Sequence, residues 1–262
     1  MSGLEMIASG AASGTPLVLL HGFGGSLSAW DRVLESLPSD LRVIRIDLPG
    51  HGGSLHADGR GGAGRMAKAI LAGLDEIGIE DFYIAGHSMG GAVAALVAIR
   101  AGDRVRSLSL VAPGGMAPEI NADLLARYAR ARDEPEIRTC MAEMSAPGFT
   151  ASQSVVDEFI AQRARPGALE ALAETYEAMF PEGPEKGQGV LPADALAALE
   201  MPVFVIWGLA DKVLPCPSPA ALPATFAFSV LPEAGHMLPE EAPEMVAHML
   251  VQAVAEPRGG RS

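Results

Sequence analysis

A serine, an aspartate and a histidine stand far apart in this chain, each just past an apolar run. Ser88 lies in GHSMGG (86–91), which fits the pattern G-x-S-x-G. Asp211 closes WGLAD (207–211), and His236 sits in AGHM (234–237). A serine hydroxyl attacks a carbonyl only when a base takes its proton, and that base needs a third group to hold its tautomer. Ser88 as nucleophile, His236 as base and Asp211 as orienter would fill those roles. The attack builds negative charge on oxygen, which backbone N–H groups can hold. Met89, directly after the serine, offers one such donor, and Phe23 in HGFGG (21–25) offers another.

These residues can meet only if the elements between them deliver them to one edge of a sheet. Apolar or β-branched runs occur at 16–20, 41–46, 82–85, 107–111, 202–207 and 226–231, most of them closed by Gly, Pro or Asp. Helical signals lie between them. There is a capping pattern at 28–31, an apolar face over 66–77, and a nearly all-apolar stretch over 89–101. Pro243 opens a last helix running to about 255. Strands alternating with helices predict an α/β fold with a mostly parallel sheet covered on both faces. In that setting Ser88 falls on a strand-to-helix turn, where flanking glycines permit a sharp bend and the helix N-terminus favours negative charge.

Residues 114–190 break the rhythm. No strand is legible there, and helical patterns near 121–132, 153–163 and 167–180 are separated by Pro135, Pro147-Gly148 and Pro166-Gly167. The reading is a helical cap over 114–190 inserted into a core made of 1–113 and 191–262. The Gly-rich stretch 182–189 reads as a mobile connector, and the tail 256–262 is expected to fray.

Other candidates carry plainer readings. Asp123 and Asp194 lie on helix-like segments and are poorer partners for His236 than Asp211 is. His21 reads as a loop-shaping residue, His51 as part of a turn, His87 as packing, and His248 as one face of the last helix. The glycines of 59–64 follow no strand, so they read as a flexible loop and not a phosphate cradle. Met141, Met144 and Met179 read as core, although methionine also suits an adaptable apolar pocket.

Bulk properties narrow the partners. Apolar residues make up 49% and charged residues 19% of 262, as in a soluble globular protein. A net charge of −13 without a basic patch argues against nucleic acid. The apolar run 90–99 is too short to cross a bilayer and Arg100 ends it, so no membrane partner is expected. Cys140 and Cys216 give neither a disulfide framework nor a metal quartet. With no signal-peptide pattern at the start, the expected location is cytoplasmic, and neither cofactor nor metal is expected.

Taken together, HGFGG (21–25), DLPGHG (47–52), GHSMGG (86–91), WGLADKVLP (207–215) and AGHM (234–237) resemble the α/β-hydrolase fold family, serine hydrolase branch. The resemblance covers 16–113 and 200–255, and the chain order Ser, Asp, His agrees with it. A finer likeness lies in APGGMAPEIN (112–121), which resembles the hydrolase-like acyltransferase (E2) component of acetoin dehydrogenase complexes. Such relatives often carry an N-terminal lipoyl domain. None is read here, so a transferase would need a separate lipoyl protein.

The expectation is a cofactor-independent serine hydrolase acting on a small or medium ester, thioester or lactone. Three alternatives remain open: acyl transfer to a lipoyl carrier, carbon–carbon bond hydrolysis of ring-cleavage products, and a ligand receptor whose triad scarcely turns over.

Overall fold

The computed structural model describes residues 2–256, so most of the tail expected to fray lies outside the described residues. The chain runs β1 (Met6–Ser9), β2 (Leu17–Leu20), α1 (Asp31–Leu34), β3 (Val43–Ile46), α2 (Ala63–Glu76), β4 (Phe82–His87), α3 (Met89–Arg100) and β5 (Val105–Val111). After four longer helices, α4 (Ala122–Arg130), α5 (Glu134–Met144), α6 (Gln153–Arg163) and α7 (Ala168–Met179), comes a short α8 (Ala193–Ala197). The strands then resume with β6 (Val203–Gly208) and β7 (Phe226–Leu231), followed by α9 (Leu238–Glu241) and α10 (Pro243–Ala255).

The sheet has seven strands in the order β1-β3-β2-β4-β5-β6-β7. Only β1 is antiparallel, pairing Met6 with Ile46 on β3. Every residue of β2 and β6 is buried. That is why these strands read as unbroken apolar runs without alternation. Helix α3 packs on β2, β4 and β5 and holds α2 against it, while α10 lies on β4, β5 and β6 beside α1. The α/β architecture read from the sequence is therefore the one observed.

Between β5 and β6 the described chain forms helices and no strand. There α4 packs on α5 and α7, and α6 on the same two. One apolar core runs from the sheet into this layer, joining residues such as Leu110 to Leu125, Ile137 and Phe159.

Three local readings need correction. Pro135 does not separate neighbouring helices. It sits in the first turn of α5, where its missing N–H costs nothing, and Asp133 caps that helix by accepting from Glu136 N–H at 3.0 Å. The stretch 182–189 is not featureless: it holds a 3-10 turn, Pro184–Lys186, and is anchored at its end. Gln188 donates through Nε2 to Ala117 C=O (2.9 Å) and accepts at Oε1 from Gly115 N–H (3.1 Å). The capping pattern at 28–31 caps no helix: it falls across a 3-10 turn, Leu27–Trp30, and the first residue of α1, and Ser26 before the turn makes no side-chain cap. No helix among the described residues is long and apolar enough to cross a membrane.

Replacing Asp133 with alanine should remove the cap of α5 at a cost of about 1 kcal/mol, lowering the melting temperature by roughly 2–4 °C. An unchanged thermal midpoint in Asp133→Ala would mean that packing alone holds this turn.

Candidate active site

Ser88 takes up φ 53° and ψ −118°, a strained backbone for a residue with a side chain. It is held on both sides. Its N–H donates to Val111 C=O at 2.9 Å, and its own carbonyl accepts from Gly91, Ala92 and Gly114 N–H. The turn is tight enough that a Cβ at Gly90 would come within 2.4 Å of His21 carbonyl oxygen and 2.5 Å of that of Leu20. A glycine is thus required two residues after the serine. The hydroxyl is half-buried at the end of β4, next to the first turn of α3.

The structure brings the three residues named from the sequence together. His236 Nε2 lies 2.9 Å from Ser88 Oγ, and its Nδ1 lies 2.7 Å from Asp211 Oδ2. Asp211 Oδ1 accepts from the N–H groups of Val213 and Leu214, both at 2.8 Å. Those two bonds fix the carboxylate so that Oδ2 faces the imidazole. With Nδ1–H donating to Asp211, Nε2 presents its lone pair to the serine hydroxyl, the tautomer a general base needs.

Neighbours that sequence reasoning passed over seat the base. His236 N–H donates to Met144 C=O (2.8 Å), one of the free carbonyls at the end of α5. Glu241 accepts from Gly235 and Ala146 N–H through Oε2, and from Met237 N–H through Oε1, all at 2.8 Å. One carboxylate thereby ties the histidine loop to the segment after α5. A Cβ at Gly235 would come within 2.6 Å of Ala146 N. Nothing in the run LPEE (238–241) sets Glu241 apart from Glu240 in sequence. His87, read as packing, also has a specific bond: its Nε2–H donates to His236 C=O at 2.8 Å.

The two expected oxyanion donors flank the serine. Among the described residues, neither Phe23 N–H nor Met89 N–H donates to a protein acceptor. The orientation of the first follows from its peptide plane. Gly22 C=O accepts from His21 Nδ1–H (2.8 Å) and Gly25 N–H (3.2 Å), so the opposite end of that trans peptide, Phe23 N–H, points away from both. His21 keeps this tautomer because its Nε2 accepts from Leu48 N–H at 2.9 Å. Complete burial pushes its pKa down to about 4, which keeps it neutral. The loop-shaping role read for His21 is thus given a definite geometry. Asp47 secures the loops behind it, accepting from Leu27 and Gly53 N–H at 2.6 Å each. Desolvation raises its carboxyl above the ordinary range. From the helical layer, Arg163 stacks over Tyr128 (4.6 Å) and Phe159 (5.3 Å) and reaches Gly24 C=O at 3.5 Å.

Three connected spaces surround the serine. A pocket of about 30 Å³ lies over Ser88 and His236. It shares Phe23, Ser88 and Leu125 with a cavity of about 220 Å³ lined by apolar groups such as Leu96, Ile120 and Met179. On the other side lies a chamber of about 440 Å³. Met141 is core, as read, whereas Met144, although buried, also lines the pocket over Ser88 and His236, and Met179 faces the apolar cavity. Among the described residues no group of three or more His, Cys, Asp or Glu side chains could hold a metal ion.

Comparison with known proteins identifies the family. The chain matches the alpha/beta hydrolase family over residues 17–249. It is 35% identical to the dihydrolipoyllysine-residue acetyltransferase component of the acetoin cleaving system of Pseudomonas putida, over 95% of this chain but only 65% of that protein's length. It is 29% identical to the 2-hydroxymuconate semialdehyde hydrolase of Pseudomonas sp. strain CF600, covering 81% of this chain and 78% of that one. The meta-cleavage product hydrolase of Pseudomonas fluorescens IP01 has the same fold, with a TM-score of 0.81 at 22% identity over 96% of this chain and 93% of that one. Relatives named as hydrolases or as an acyltransferase component are consistent with an enzyme of hydrolytic or acyl-transfer chemistry.

Burial, then the neighbouring His236, pushes the pKa of His87 down to about 3 from the ordinary 6.5. Between those values the unfolded chain carries a proton that the folded chain does not. This residue's effect is therefore to lower stability as pH falls through that window. Gln at 87 retains a donor for His236 C=O but no longer titrates. Urea denaturation between about pH 4 and about pH 6 should show His87→Gln losing stability less steeply than the parent, by up to about 1.4 kcal/mol per pH unit. Equal slopes would mean that His87 takes up its proton in the folded state.

Proposed function

The chain belongs to the alpha/beta hydrolase family, and we propose that within it the protein is a cofactor-independent serine hydrolase of small or medium carboxylic esters, thioesters or lactones. The observation that carries this reading is the continuous contact from Ser88 Oγ to His236 (2.9 Å) and from His236 to Asp211 (2.7 Å). Ser88 Oγ bonds to the carbonyl carbon as His236 Nε2 takes its proton. The oxyanion forms against the N–H groups of Phe23 and Met89, where each donor is worth about 2.7–4 kcal/mol to the transition state. The carbonyl carbon then releases its alcohol or thiol, which leaves with the proton from His236, and the acyl group stays on Ser88. Water adds next, giving a proton to His236. Collapse of the second tetrahedral intermediate frees the acid and returns the proton to Ser88. Asp211 stays ionised throughout and balances the imidazolium. The apolar cavity of about 220 Å³ beside Met89 takes the acyl chain and limits its size.

The acetoin-system relative favours a second reading on the same acyl-enzyme, in which a thiol on a separate lipoyl protein replaces water as acceptor. The ring-cleavage relatives favour a third, carbon–carbon bond hydrolysis by the same three residues.

Hydrolysis of p-nitrophenyl esters across acyl lengths separates these readings. The expected result is turnover that peaks at short or medium chains and falls by about 10⁴-fold or more in Ser88→Ala. Activity retained in that variant contradicts the mechanism. Acyl transfer to added dihydrolipoamide in preference to water would move the reading to the transferase.

A further inference from the structure

The chamber of about 440 Å³ adjoins the catalytic pocket, since the two share Gly25, Ala29, His87, Phe159 and Met237. It lies on the histidine's side of the serine. Met237 follows the base directly, and the His87 ring is 5.1 Å from that of His236. The apolar cavity lies on the other side, against Met89 and Gly114, and does not touch His236. Proton return fixes which space serves which half of the substrate. The departing oxygen or sulfur must come within hydrogen-bond reach of His236 Nε2, so the group attached to it extends past Met237 into the larger chamber.

That chamber is charged. Asp31, Glu35, Glu158 and Glu240 line it, with Arg32 the one cation among its lining residues. Asp31 is neutralised by Arg45, and Glu240, which is buried, lies 4.0 Å from Arg32. Glu35 and Glu158 have no ion pair among the described residues. Glu158 accepts only neutral hydrogen bonds, from Gln162 Nε2 at 2.7 Å and Ser26 Oγ at 3.4 Å. Glu35 is exposed at the rim and Glu158 is half-buried beside it, so their field acts on whatever enters and is open to screening by salt.

Resting on the hydrolase reading above, we infer that this chamber selects the leaving group by charge, favouring a cationic alcohol or thiol, accepting a neutral polar one, and rejecting one that carries phosphate, sulfonate or carboxylate. The acyl half is chosen by fit to an apolar cavity and the leaving half by electrostatics. The reaction itself is unchanged: the acyl C–O or C–S bond breaks, and the leaving atom takes the proton held by His236.

Three thioesters with one acyl group test this, because only the thiol differs: S-butyryl thiocholine, S-butyryl mercaptoethanol and S-butyryl mercaptoethanesulfonate. Thiol release is followed with a chromogenic disulfide. The expected order of kcat/KM is cationic, neutral, anionic, with roughly tenfold between the extremes at low salt. The spread should shrink at high salt and in Glu35→Gln/Glu158→Gln. Turnover with a flat or reversed order overturns the charge assignment alone. No hydrolysis of any of the three, or of p-nitrophenyl esters, overturns the hydrolase reading and the assignment with it. The salt series needs no variant, so a misfolded double variant would not remove the test.

Discussion

Everything at the site depends on the strained turn at Ser88. Its backbone lies where a side chain costs about 1–3 kcal/mol, and it stays there because the surroundings leave no alternative. The parallel sheet brings β5 alongside β4, so that Val111 C=O receives the serine N–H. The same carbonyl that begins α3 also accepts from Gly114 N–H, at the start of the segment leading to the helical layer. Gly90 lets α3 press against the end of β2, which in turn carries the loop holding Phe23. The nucleophile, the helix N-terminus and one oxyanion donor are therefore placed by a single packing arrangement.

The base reaches this turn by a different route. His236 is carried on a loop after β7, the last strand of the sheet, and is seated largely by hydrogen bonds to main-chain groups. The end of α5 receives its N–H, Glu241 gathers the amides around it, and His87 reaches its carbonyl. These buried polar groups are paired, as burial demands. His21 and His87 stay neutral through desolvation, so neither adds a charge close to the base. The helical layer does more than cover the site: through Met144 it helps set the position of the base.

The framework of the fold was legible because buried parallel strands leave unbroken apolar runs, and the three residues in contact lie just past such runs. What escaped notice carries weaker signals. Strand β1 is four residues long and half-exposed at the sheet edge, so its apolar run, Met6–Ala8, is too short to stand out. Helix α5 was hidden by Pro135, which the sequence alone presents as a breaker although it lies in a first turn. Glu241 acts by accepting backbone N–H groups from segments distant in sequence, and one acidic residue after another gives no hint of that. The direction of Phe23 N–H depends on what holds Gly22 C=O, a relation visible only in three dimensions.

The central claim is that Ser88 alone is activated as a nucleophile, by His236. Reaction with an alkyl fluorophosphonate, followed by peptide mass mapping, tests it most directly. The account predicts a single adduct on Ser88, formed at least about 10³-fold more slowly in His236→Ala. An adduct on another residue, or labelling of Ser88 at the same rate without His236, would contradict it.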